Sequence, residues 1–133
     1  RLIVRERQAD RPADASLTAA IHRWRDTAVR LYGEESLEAA KAYEYMVDTT
    51  DDRAEQDALV ARAYAIHRAK VPGISMERAH SEFNTGYFLV EYRQDHARAE
   101  PYFARSVDIG RRLNGRGHAD VLRFELGWAR ALN

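Results

Sequence analysis

The sequence predicts an all-α protein, an α-solenoid of about six helices stacked as antiparallel pairs. Helix-favouring Ala, Leu, Arg and Glu dominate the chain, and no segment carries a convincing alternating strand pattern. Glycines close successive segments at Gly33, Gly73 and Gly115, 40 and 42 residues apart. Helix pairs that repeat at such a period are typical of solenoids, because each pair buries its apolar face only against its neighbours.

The first predicted helix follows Ser16, a candidate N-cap, and ends at Gly33. Its apolar residues recur at helical spacing on one face: Leu17, Ile21, Trp24, Ala28 and Leu31. Residues 1–15 are predicted to form an N-terminal segment or linker, since "DRPAD" is typical of a loop. The helical repeat domain is therefore predicted to span residues 16–133.

Five further helices follow, separated by polar or Gly/Pro breaks. The second begins at Ser36 and the third follows the break "DTTDD". "PGIS" then interrupts the chain, and Ser75 can cap the fourth helix. The fifth contains Pro101, which lacks an N–H, so we expect that helix to begin near 97–98 with Pro101 in or just past its first turn, or else a mild kink. The sixth is "ADVLRFELGWARALN".

Composition limits the classes of partner. A chain of 133 residues is long enough for one domain with a real core. Its 21 acidic and 21 basic residues argue against a nucleic-acid partner bound through counterion release. No apolar run approaches the roughly 18 residues of a membrane span, so we expect no membrane partner. The lack of cysteine suits a reducing compartment, and we predict a cytoplasmic protein.

The stretch "NTGYFLVEYRQDHARAEPYFARSVDI" resembles a tetratricopeptide repeat (TPR), in the longer variety of about 40–42 residues found in kinesin light chains and many bacterial proteins. The matching positions are Thr85, Gly86 and Leu89 in the first helix and Ala99, Glu100, Pro101, Phe103 and Ile109 in the second. "RLYGEESLEAA" and "RLNGRGHADVL" resemble the connectors between such repeats. The turn "RQDHAR" departs from the pattern because it is longer and lacks a glycine, and the pair at 36–71 matches poorly. The resemblance implies a right-handed superhelix with a concave groove.

An aromatic pattern recurs as "FNTGY" and "FELGW". The resemblance implies that the first helix of each pair lines the groove, which places six candidate partner-binding residues there: Tyr43, His80, Phe83, Tyr87, Phe124 and Trp128. Either the rings receive an apolar or aromatic anchor from a partner, or they pack between neighbouring helices as core. Gly86 and Gly127 favour close packing at those points, because glycine inside a helix otherwise costs stability.

No pattern predicts catalysis. The five histidines show no metal-ligand spacing, and acidic residues cluster in turns, where helix N-termini favour negative charge. We therefore expect a non-enzymatic protein with no catalytic residues, metal or cofactor.

The last helix is apolar on more than one side and has no following helix to cover it. We expect either that the natural chain continues, making this sequence a fragment of a larger protein, or that a homodimer forms through this helix. The scarcity of lysine, with only Lys41 and Lys70, and the abundance of alanine suggest a GC-rich bacterial source.

The leading functional prediction is a non-catalytic protein–protein interaction module that binds a peptide or partner protein in a concave helical groove. The alternative is a ligand- or peptide-sensing regulatory domain of a bacterial signalling protein, such as a kinase or transcription regulator. The resemblance implies this alternative because such repeats are often appended to those proteins.

Overall fold

The computed structural model describes residues 15–133, and this part of the chain is all-α, as predicted, with six α-helices and no strand. The helices are α1 (Ala15–Tyr32), α2 (Leu37–Met46), α3 (Arg53–Lys70), α4 (Met76–Arg93), α5 (His96–Asn114) and α6 (Ala119–Leu132), with a 3-10 turn at Val47–Thr49. The predicted linker at 1–15 lies outside the described residues except for Ala15, which begins α1. The chain divides into two compact units, with the boundary after Ile66 within α3.

Side-chain caps define where the later helices begin. Ser75 Oγ accepts a hydrogen bond from the Arg78 amide at 3.1 Å, which confirms the cap predicted for the fourth helix. Asp95 caps α5 in the same way. At the start of α1 the prediction is two residues late, because the helix begins at Ala15 and Ser16 lies inside its first turn. Gly33 ends that helix with φ 99°, a left-handed conformation that favours glycine.

In the first unit, α1 and α2 run antiparallel, and α3 adds its side chains to the same core. The core residues come from α2 and α3: Ala39, Ala40, Tyr43, Met46, Ala63 and Ile66. The apolar face predicted for α1 is partly wrong. Ala28 is buried and Ile21 packs against the core as predicted, but Leu17 and Leu31 are 56% and 59% exposed, whereas Val29 packs against the core. The buried side of α1 is therefore rotated away from Leu17 and Leu31.

In the second unit, α4 and α5 are antiparallel, and α6 packs antiparallel to α5 while running parallel to α4. Residues about forty positions apart therefore meet. The rings of Phe83 and Phe124 lie 5.3 Å apart, and Arg130 pairs with Glu91. The sequence period thus corresponds to the packing of one first helix beside the next.

The ring of Phe103, on α5, fills the space that two glycines leave open. A Cβ added to Gly86 would lie 3.1 Å from this ring, and one added to Gly127 would lie 2.7 Å from it and 2.9 Å from Phe83. The close approach predicted at both glycines is confirmed, and the group that approaches is an aromatic side chain. Phe103 is 1% exposed, so it joins all three helices of the unit.

Pro101 lies deeper in α5 than predicted. The helix begins at His96, so Pro101 is its sixth residue and its ring nitrogen cannot donate to the carbonyl of Ala97. The helix continues without interruption to Asn114, and Pro101 is exposed.

The turn between α4 and α5 adopts a glycine conformation without a glycine. Gln94 has φ 51°, and its amide donates to the carbonyl of Val90 while the amide of Asp95 donates to that of Leu89. The Gln94 side-chain amide also donates to the carbonyl of Glu91 at 3.0 Å. Gln94 therefore takes the left-handed position that a glycine usually occupies at the end of a helix. Its Cβ makes that conformation strained, and its side chain forms a local hydrogen bond there.

Replacing Gln94 by glycine should stabilise the second unit by about 0.5–1 kcal/mol, because glycine adopts the left-handed conformation without a Cβ clash. Urea unfolding followed by circular dichroism would measure this gain. Gln94→Ala is the matched control: it keeps the Cβ, loses the side-chain hydrogen bond and should be less stable than wild type. Equal stability of the two variants would contradict the role of backbone strain.

Gly127→Ala should destabilise the protein by about 1–3 kcal/mol, because the added methyl group overlaps the rings of Phe103 and Phe83. Gly73→Ala serves as the control, since nothing lies within 4 Å of its Cβ position and its φ is not positive. Thermal unfolding of the two variants should separate them, and an unchanged transition for Gly127→Ala would show that the rings can move aside.

Candidate functional site

The six aromatic and histidine candidates fall into two groups by burial. Tyr43, Phe83 and Phe124 are buried, with exposures of 3%, 8% and 0%, and contribute to core packing. The other three, His80, Tyr87 and Trp128, are half-buried. Core packing therefore accounts for the three buried rings, whereas contact with a partner is open only to the three half-buried side chains.

The parallel helices α4 and α6 present a polar and aromatic surface, which we name the α4–α6 face. It consists of His80 and Tyr87 from α4 and Asp120, Arg123 and Arg130 from α6, and the buried Glu91 pairs with Arg130. Phe83 and Phe124 underlie it: the Arg123 guanidinium lies 5.4 Å from the centre of the Phe83 ring and 5.9 Å from that of Phe124. The Tyr87 ring lies 5.9 Å from that of Phe83.

His80 is held at this face by three neighbours. Its ring packs edge-on against Phe124 at 5.2 Å. Arg123 donates to Nδ1 at 3.2 Å, and Asp120 lies 3.7 Å from Nε2. Because a guanidinium can only donate, this arrangement assigns the proton of the neutral imidazole to Nε2. His80 is thus oriented between a cation and a carboxylate.

Two buried glutamates, which the sequence analysis did not single out, anchor the charged groups. Glu91 is 5% exposed and pairs with Arg130. Glu82 has no exposed surface, and its carboxylate accepts from Arg78 and Arg105, each at 3.0 Å. Their sequence signal is weak: each acid stands next to aromatic or apolar residues, in "SEF" and "VEY".

Trp128 belongs to the contact between α5 and α6. Its indole N–H donates to a carboxylate oxygen of Glu100 on α5 at 2.8 Å. This bond satisfies the polar atom of a half-buried ring and ties the start of α5 to the end of α6. Of the predicted groove residues, the structure therefore brings together His80, Phe83, Tyr87 and Phe124. Trp128 is instead hydrogen-bonded to Glu100 of α5.

Tyr43 lies in the first unit and borders a separate cleft. Its hydroxyl donates to the backbone carbonyl of Glu34 at 3.0 Å, and the Arg62 guanidinium stacks over its ring at 4.7 Å. Burial raises the pKa of Tyr43, an effect that the positive charge of Arg62 opposes. The phenol therefore stays neutral at physiological pH.

The outward side of α6 exposes an apolar stripe. Leu122, Leu126 and Leu132 are 49%, 68% and 64% exposed. The homodimer predicted through this helix has an accessible apolar surface, and its formation stays a prediction.

Within residues 15–133, no group of three or more His, Asp or Glu side chains lies close enough to hold a metal ion. In the same range, none of the helices has the length and apolar character needed to cross a bilayer.

A scan against models of known protein families finds no match, and a search of curated proteins finds no significantly similar sequence. Membership of the TPR family therefore stays a prediction. It rests on the matching residues and on the period of about forty residues.

Burial predicts different roles for two rings of the recurring pattern. Phe124→Ala should cost about 3–5 kcal/mol, because it opens a cavity beneath the α4–α6 face. Tyr87→Ala should cost about 1 kcal/mol, since that ring is already partly exposed. Urea unfolding of both variants measures the contrast, with the exposed Leu126→Ala as a control close to wild type. Similar losses for Phe124→Ala and Tyr87→Ala would mean that Tyr87 is also core.

Proposed function

We propose that this chain is a non-catalytic, TPR-like interaction module that binds a peptide segment of a partner protein at the α4–α6 face. The observation that supports it best is the composition of that face. Half-exposed Tyr, His and Arg side chains lie over the buried rings of Phe83 and Phe124. Tyr and Arg are enriched among the residues that dominate binding energy at protein interfaces. The proposal places the interaction in the bacterial cytoplasm, in keeping with the absence of cysteine.

The charges of the face indicate the chemistry of the segment. Arg123 and Arg130 are 54% and 52% exposed, and each pairs with a carboxylate of the protein. An acidic side chain of a partner can share these guanidiniums, because each has five donors. Tyr87 offers apolar contact on the same face. We therefore propose a segment that combines an acidic residue with a nearby apolar or aromatic anchor.

The fixed network beneath the face favours binding without large rearrangement. Arg123 is held by Asp120, His80 and the two phenylalanine rings, so little side-chain freedom remains to be lost. Glu91, itself buried, restricts Arg130 in the same way. A preorganised pair of cations is better suited to a defined segment than to nonspecific attraction.

A second candidate function, a ligand-sensing regulatory domain, is supported by a different observation. The first unit contains a cleft lined by arginines, outside the α4–α6 face. The two functions are compatible, since a sensor domain can carry both a ligand site and a partner surface.

Selection of a random peptide library against the intact chain tests the leading proposal. We expect enriched peptides to contain an acidic residue close to an aromatic or large aliphatic one. Tyr87→Ala and Arg123→Ala should each weaken binding of a selected peptide about tenfold or more, because each removes an interface contact. Fluorescence anisotropy with a labelled peptide measures the affinity.

Arg112→Ala is the matched control, because Arg112 is an exposed arginine of α5 that pairs only with Asp108 among the described residues. It should bind the peptide like wild type, and circular dichroism should show that every variant is folded. Selected peptides that bind Tyr87→Ala and Arg123→Ala as tightly as wild type would exclude this face as the binding surface.

A further inference from the structure

A cleft of about 370 Å³ opens in the first unit, where α1, α2 and the connector between them face α3. Its lining is unusually rich in guanidinium groups: Arg25 and Arg30 come from α1 and Arg62 from α3, with Val29, Tyr43, Asp26 and Glu34 completing it. The volume of this cleft is near the lower end of the range for ligand pockets and suits a small molecule.

Three arginines line the cleft, and one of them is unpaired among residues 15–133. Arg25 pairs with Asp26, and Arg62 contacts Glu34 and Glu35 at 3.3 Å each. Arg30 has neither an ion pair nor a side-chain hydrogen bond within residues 15–133. A recess in the protein surface that holds a cation without an internal partner attracts anions.

The Arg62 guanidinium is held in a fixed position, but its ion pairs are weak. Its guanidinium stacks on the Tyr43 ring, and the Tyr43 hydroxyl is fixed by the carbonyl of Glu34. Burial lowers the pKa of Arg62, but the carboxylates of Glu35 and Glu34, together with Tyr43 once it ionises at high pH, outweigh that effect and raise the pKa overall, so the group stays a cation. Glu34 and Glu35 are 70% and 68% exposed, and ion pairs of that kind contribute little and exchange readily.

We propose that this cleft binds a small organic anion, a phosphomonoester or a dicarboxylate, through Arg30 and Arg62. Arg30 supplies a charge from α1 that is unpaired within the described part of the chain, and Arg62 supplies a planar set of donors from α3. An anionic group between them replaces the exposed carboxylates on Arg62. Tyr43 and Val29 provide the small apolar contact that a carbon skeleton needs. Such a ligand ties α3 to α1.

Titration of the intact, isotope-labelled chain with phosphoserine and, separately, with succinate tests this site by NMR. We expect saturable shifts of resonances from Val29, Arg30, Tyr43 and Arg62 with at least one probe at low salt. Arg30→Gln should weaken binding about tenfold, the effect of removing one hydrogen bond to a charged group. Saturation with phosphoserine alone identifies a phosphomonoester site, and saturation with succinate alone identifies a dicarboxylate site.

Arg62→Gln should weaken binding by a similar factor, and Arg112→Gln should leave it unchanged. Because Arg62 stacks on a core ring, its loss could also disturb folding, so the exposed Arg30 variant decides the outcome. Shifts that fail to saturate with both probes, or an affinity of Arg30→Gln equal to that of wild type, would overturn the proposal. The α4–α6 face contributes no residue to this site, so either proposal can fail without the other.

Discussion

The second unit depends on one contact, the ring of Phe103 seated against the backbone of two glycines. α4 and α6 can lie side by side only if both approach the same ring of α5, and a Cβ at Gly127 would come within 2.7 Å of it. Glycine lowers helix propensity by about 1 kcal/mol relative to alanine, so these two positions reduce local stability in favour of tertiary packing. The close approach brings Phe83 and Phe124 together and places the charged groups of both helices on one surface.

That packing divides the aromatic residues into those that form the core and those that lie at its edge. Phe83, Phe103 and Phe124 form a continuous interior, while Tyr87 and His80 lie at its edge, where each exposes part of its ring. Cations occupy the outer surface: Arg123 covers two of the interior rings and is held by a histidine and an aspartate. An edge of this kind combines rigidity with polar groups that remain accessible, and the proposed recognition of a peptide follows from that combination.

The sequence predicts the helices well because their signals are local. Ser75 as a cap and Gly33 as a terminator each depend on backbone chemistry within a few positions. Burial on α1 is predicted poorly, since Leu17 and Leu31 follow helical spacing although the neighbouring helix covers another side. The arginine cleft could not be predicted at all. Arg30 and Arg62 are distant in sequence, and only the tertiary fold brings them to one recess. The recurring pattern identifies both rings as candidates but does not distinguish the buried Phe124 from the half-buried Tyr87, because the burial of each ring depends on how its own helix is rotated.

Glu82 has a consequence for how the helices align. Its carboxylate is fully buried and is shared between Arg78 of its own helix and Arg105 of α5. A buried ion pair adds little net stability compared with apolar packing, but a buried carboxylate without its partners is costly. If α5 slid along α4 by one residue, Arg105 would turn away, and the buried carboxylate would lose one of the two guanidiniums that compensate its charge. We infer that Glu82 discriminates against misaligned stacking of α4 and α5, in addition to the fit of Phe103 against the two glycines.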